Sequence, residues 1–198
     1  MPASTKVDLA NIALRRIGEK KPIAHLSEQP VLALLWDHAL GVAIEQHDWT
    51  FARRTVALVL DSEAPTTEWA FSYLVPADCL VPRMITDGLQ QRREEDVIPF
   101  VAALNALEVR VLYTDMQDAI LRYSRLVSNE TLWTFSFADY FAWVLASEVA
   151  LALSLSDEIR ARAYNGREWS FGRAWDTDRR SERHPAPLDA EWHEARRG

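Results

Sequence analysis

The chain predicts an α+β fold: a four-helix bundle made of two helix pairs, a small antiparallel β insertion between the halves, and an extended C-terminal arm. Apolar residues recur at helical spacing over 5–17 and 27–46, and again over 137–155 and 157–180. Residues 49–127 switch instead to short runs rich in Val, Thr and aromatics, separated by turn-forming residues. After Arg183 the stretch HPAPLDAEWHEARRG carries two prolines and no sustained period. The expected organisation is therefore one domain over 1–183 and a docking arm over 184–198.

Thr5 and Asp8 form a capping-box pair ahead of Leu9, Ile12, Ala13 and Ile17, and Gly18 supplies a left-handed stop. The second helix is expected to start at Ser27, to accept Pro30 in its first turn, and to run to about Gln46. Val31, Leu35, Ala39 and Val42 form its predicted apolar stripe, and the first two helices pair as a hairpin. The segment QHDWTFARR, residues 46–54, then turns the corner. Trp49 and Phe51 pin that turn, while Arg53 and Arg54 are placed for salt bridges along the junction or with a neighbouring subunit. A proline at position 47 should cost little stability.

Within the insertion, Trp69, Phe71 and Tyr73 alternate as one strand face does, and short strands are expected around 79–85, 98–102, 109–113 and 120–127. Ser136 with Asp139 reads as another capping box. The AWVLASEVALALSL that follows is apolar nearly all round, which predicts the most buried helix. Ser156 or Asp157 caps the fourth helix, which carries Ile159, Ala163, Trp169 and Ala174, with Asn165-Gly166 as a point of interruption.

Composition narrows the function classes. At 198 residues the chain can bury a real core, and a single cysteine, Cys79, excludes an internal disulfide and a cysteine-based zinc site within one chain. Cys79 reads as a small buried hydrophobe, since nothing basic adjoins it to lower its pKa. The N-terminus lacks the apolar core of a signal peptide, and no unbroken run of about 18 apolar residues predicts a transmembrane helix. The net charge is −7, and the acidic excess lies wholly in residues 1–155, with 13 basic against 20 acidic groups. That balance opposes tight phosphate binding. Eight tryptophans are many for this length and point to aromatic burial between subunits.

Catalytic patterns are absent. The five histidines show no HExxH-type spacing, no GxSxG or phosphate-cradling glycine loop occurs, and no cofactor or metal is expected. His47 and Asp48 are adjacent, and neighbours in sequence point in different directions, so they make a poor catalytic pair. Glu94, Glu95 and Asp96 beside Arg92 and Arg93 read as a solvated turn. Arg15, Arg16, Lys20 and Lys21 hint at a helix-turn-helix, but the next helix has no basic reading face. A cytoplasmic DNA-binding regulator is thus one alternative function.

Five stretches in order resemble the tail tubular protein A family, the head-to-tail adaptors of short-tailed bacteriophages. They are ALRRIGEKKPIAHLSE, DWTFARR, EWAFSYLVPADCL, ILRYSRLVSNETLWTFSFADYFAWVLASEVALALSLS and the terminal DAEWHEARRG. His47-Asp48 stands where the family more often has a proline before the tryptophan. The resemblance implies a non-enzymatic virion protein, assembled in the bacterial cytoplasm. It would form a ring, twelvefold in the family, between the portal protein and the tail nozzle protein, with tail fibres docking below. DNA would pass through the lumen without specific binding, which an acidic surface favours. An adaptor with added hydrolase activity is the second alternative. Interface bias toward aromatics and arginine selects Trp169, Arg173, Trp175, Trp192, Arg196 and Arg197 as contacts to the portal or a neighbouring subunit.

Overall fold

Among the described residues seven strands occupy the middle of the chain, and they build two antiparallel sheets where the sequence predicts only a small insertion into a helix bundle. The fold remains α+β, but the bundle-with-insertion architecture is wrong. In this computed structural model, which describes residues 5–63, 65, 68–88 and 98–181, the predicted arm over 184–198 lies outside the described residues. One sheet orders its strands β1 (Arg53–Ala57), β7 (Ile120–Arg125) and β4 (Cys79–Thr86). The other orders β2 (Val59–Leu60), β3 (Phe71–Leu74), β6 (Arg110–Thr114) and β5 (Val101–Leu104).

The two sheets share one strand path. β1 and β2 are a single extended run that changes sheet at Leu58, whose N–H donates to the Ala119 carbonyl at 2.9 Å. Strands that switch sheets in this way make the corners of a packed pair. Between the sheets lie Tyr73, Cys79, Ile85, Ile98, Leu112, Ala119, Leu121 and Tyr123, a hydrophobic core separate from that of the helices. Cys79 is buried there, and burial pushes its thiol pKa up, as expected of an inert side chain. A layer with its own core is more than an insertion: it buries apolar surface on both sheets.

Among the described residues four α-helices form the other half: α1 (Lys6–Arg16), α2 (Pro30–Glu45), α3 (Phe135–Ala152) and α4 (Asp157–Ser181). Thr5 and Asp8 make the predicted capping box of α1, and Gly18 takes φ +96° just past its end. α2 starts at Pro30 instead of Ser27, because Leu26–Glu28 forms a separate 3-10 turn. Its buried face is Leu32, Trp36, Ala39, Leu40, Ala43 and Ile44, rotated from the predicted stripe. Thr134, not Ser136, caps α3, accepting from the Phe137 N–H at 3.2 Å. Asp139 pairs with Arg16 of α1 instead. α4 runs uninterrupted through Asn165-Gly166.

α3 is central and packs against α1, α2 and α4. By length and composition alone it is apolar enough to cross a membrane, and its burial by three helices accounts for that apolarity within the fold. No other described helix meets that measure.

The sheets meet the helices along a polar seam. Arg83 on β4 reaches the C-terminal end of α2, where its Nη2 donates to the carbonyls of Ile44, Glu45 and His47 at 3.1, 3.0 and 2.8 Å. Those carbonyls have no partner within the helix, and a cation is favoured at that end of the helix dipole. Nε of the same side chain donates to Ser124 Oγ on β7 at 2.9 Å. One arginine therefore ties α2 to two strands. Arg83→Met should lower unfolding free energy by about 2 kcal/mol. It should also raise hydrogen exchange in the last turn of α2; unchanged exchange there would show that the cap is not set by Arg83.

Candidate functional site: the corner and the outer face of α4

Two regions carry the residues singled out in the sequence. The first is the corner after α2. Trp49 is fully buried, its Nε1–H donates to the Ala43 carbonyl at 2.9 Å, and its ring meets Phe137 edge-on at a centroid distance of 5.0 Å. Phe51 packs on Phe137 at 4.6 Å, so both aromatics pin the corner onto α3. Arg53 donates to the Asp48 carbonyl at 3.0 Å and pairs with its carboxylate at 3.2 Å, as does Arg122 of β7. Arg54 pairs with Asp78 at 2.8 Å on the surface. The junction reading of Arg53 and Arg54 agrees with these contacts.

The residue that organises the corner is Asp178, one turn from the end of α4. Its side chain is only 2% exposed. Oδ1 accepts from the Thr50 hydroxyl at 2.7 Å and from the Thr50 N–H at 3.2 Å, and Oδ2 lies 3.2 Å from His47 Nε2. Burial pushes the Asp178 carboxyl pKa up, but the bonds from His47 and Thr50 outweigh it and hold the group below the ordinary carboxylate value. His47 also meets Trp49 edge-on at 4.9 Å. The proline expectation at position 47 therefore fails on two counts. Proline would remove the bond to Asp178, and it would follow Gln46, whose helical backbone (φ −63°, ψ −26°) is disfavoured before proline. His47 is paired with a distant aspartate, and Thr50 bonds the same carboxylate instead of the imidazole, so no nucleophile–base relay forms.

The second region is α4. Ala163, Ser170, Ala174 and Asp178 are its buried residues, and the opposite side faces outward. There Trp169 is 62% exposed and Trp175 is 38% exposed. Arg173 lies over the Trp169 ring at 4.7 Å, and Arg179 over the Trp175 ring at 4.7 Å, each pair four residues apart. Such a cation–π contact is worth about 0.5–1 kcal/mol when exposed, which favours the stacked arrangement of indole and guanidinium. At 100° per residue the two tryptophans stand about 120° apart, with Gly172 midway between them. Gly172 is exposed, and an added Cβ there would meet nothing within 4 Å.

Beside Arg173, an open groove of about 400 Å³ lies between α4 and the start of α3, lined by Thr134, Phe135, Ser136, Asp139, Arg173 and Thr177. Its two charges are of opposite sign, and it gathers no catalytic constellation. Among the described residues no group of His, Cys, Asp or Glu is placed to hold a metal ion.

Of the predicted contact residues, Trp169, Arg173 and Trp175 come together on one helix, whereas Trp192, Arg196 and Arg197 lie outside the described residues. Glu94, Glu95 and Asp96 lie outside them as well. Arg16, part of the helix-turn-helix reading, is turned inward: it stacks on Trp143 at 4.2 Å and pairs with Asp139. Sequence reasoning missed Asp178, Arg83 and Gly172. No local pattern marks the first two, but the repeated Trp-x-x-x-Arg around Gly172 was there to be read. No protein-family model matches the chain, and no curated protein matches it significantly.

Proposed function

We propose that the chain is a non-enzymatic structural subunit, a head-to-tail adaptor that repeats as a ring between a phage portal and tail nozzle. The observation that carries this reading is the outer face of α4, where two tryptophans stacked by arginines project from the side opposite its buried line of Ala163, Ser170, Ala174 and Asp178. Aromatic and arginine side chains dominate the binding energy of protein interfaces. Different apolar side chains are exposed at the two edges of the four-stranded sheet, Val59 and Leu60 on β2 and Val101 and Leu104 on β5. Unlike surfaces on one chain suit head-to-tail contacts, which close into rings, better than a two-fold dimer.

The resemblance of five stretches to the tail tubular protein A family supplies the identity of the assembly. Several of those stretches form joints of the fold: DWTFARR is the corner, and EWAFSYLVPADCL supplies β3 and the start of β4. The acidic balance of the chain favours a lumen from which DNA slides away. Mixing the protein with the portal ring encoded in the same genome and imaging the product in projection tests the reading. Twelvefold decoration of one portal face is the expected result. A protein that leaves the portal bare yet shifts DNA in a salt-dependent manner would refute it.

A further inference from the structure

The groove of about 400 Å³ between α4 and the start of α3 brings one large apolar side chain, Phe135, together with one cation, Arg173. Phe135 opens α3 and is 63% exposed, so most of its ring can still be covered. The acids nearest Arg173 are committed elsewhere: Asp139 pairs with Arg16 and Asp176 with Arg180. Glu168 stands about 140° round the helix from Arg173. Arg173 therefore has an indole partner, Trp169, and no carboxylate partner among the described residues. The first-turn N–H groups of α3 lie at the same end and favour negative charge there. Where α4 ends bears on what covers this groove. Arg173, Thr177 and Ser181 repeat every four residues, so the wall that α4 lends to the groove runs to its own last residue. The chain continues as ERHPAPLDAEWHEARRG, in which Leu188 and Trp192 are the large apolar residues and Glu191 and Glu194 flank the tryptophan.

We propose that residues 188–194 fold back into this groove of the same chain. Trp192 seats on Phe135, and the carboxylates of Glu191 and Glu194 face Arg173 and the N-terminal end of α3. The reach is sufficient. From Ser181 back to Arg173 is about 12 Å along the helix axis, a span that roughly four or five extended residues cover. Residues 182–191 lie between Ser181 and Trp192, and Pro185 and Pro187 oppose any continuation of α4 that would carry the tryptophan away. The tether also decides between occupants. A segment joined to the groove's own wall is present at millimolar effective concentration, so one aromatic contact and two ion pairs suffice to hold it. A groove of about 400 Å³ is far smaller than the interface a stable complex of separate chains requires. The contact belongs to the free chain and does not rest on the ring reading; it holds Trp192 back until a partner displaces it.

The test places a photo-reactive benzophenone amino acid at position 177, an exposed site on the groove wall, and mixes light and heavy isotope-labelled full-length chains before illumination. Capture of the tryptic peptide 184–196 within a single isotope is the expected product. Trp192→Ala should reduce that capture by roughly tenfold or more, since it removes the aromatic anchor. Arg173→Glu should reduce it as well, and Glu191→Arg with Glu194→Arg in that background should restore it. Restoration by charge exchange is a result that damage to α4 would not produce. Absence of capture, capture that survives Trp192→Ala, or a charge exchange that restores nothing overturns the contact. Mixed-isotope capture assigns the groove to the arm of a second copy and overturns it too. The free chain alone is illuminated and portal decoration is scored separately, so failure of this contact leaves the adaptor reading standing.

Discussion

Replacing Asp178 with alanine should lower the unfolding free energy by about 3 kcal/mol, since it deletes a buried carboxylate that accepts several bonds and strands the Thr50 N–H and His47. The loss should appear in urea unfolding as a shifted midpoint with little change in slope. Asp178→Asn keeps the shape and should cost less, about 1–2 kcal/mol. The pH dependence separates charge from shape. Because the native carboxyl is held below its ordinary value, the unfolded chain takes up this proton first as pH falls. The stabilisation is therefore fully present above about pH 4, the unfolded carboxyl's value, and is lost as pH drops through the native value. Asp178→Asn should flatten the acid limb of the stability curve. An acid limb of unchanged slope in that variant would assign the corner's stability to packing alone.

Gly166→Ala should be nearly as damaging, costing about 2–3 kcal/mol although alanine is the better helix former. A Cβ at 166 would sit 2.5 Å from Trp143 Cε3 and 2.6 Å from two further ring atoms. The ring cannot simply step aside, because Arg16 stacks on it at 4.2 Å while pairing with Asp139. α4 would have to lift from α3. Gly172→Ala, six residues along the same helix and free of any neighbour, should move stability the other way. Thermal unfolding of the two variants side by side tests this opposition, and a gain of stability in both would mean that helix propensity and not packing governs α4.

Helical periodicity and capping chemistry are local signals, and they were legible. Thr5, Asp8 and Gly18 set the limits of α1 as read, and the all-round apolar run gave the central helix. Asp139 misled because two oxygens compete for the start of α3, and Thr134 wins once Asp139 is drawn to Arg16. The sheets were under-read for a different reason. Four consecutive buried residues on β6, from Val111 to Thr114, carry no alternation, and β1 pairs with β7 across most of the middle of the chain. A window of sequence contains neither fact. Trp169, Arg173 and Trp175 were singled out by residue type and lie on the outward side of α4, whereas the pairing of Trp175 with Arg179 went unread. Asp178 looked like one charge among many in a polar helix until folding brought Thr50 and His47 to it.

The register of β1 on β7 also bears on how the helical half closes. α2 ends at Glu45 and α3 begins at Phe135, and joining the ends of a flexible excursion of about 90 residues costs roughly 4 kcal/mol in chain entropy. Arg53 opposite Ser124, and the Arg125 N–H donating to the Ala52 carbonyl at 3.0 Å, fasten the two ends of that excursion together just outside the helical core. With the strands zipped, only the short leads from Glu45 to Ala52 and from Arg125 to Phe135 remain to be ordered. The smaller sheet thus acts as a tether for the helices, lowering the entropic cost of bringing α2 against α3 in a chain that has no disulfide to do so.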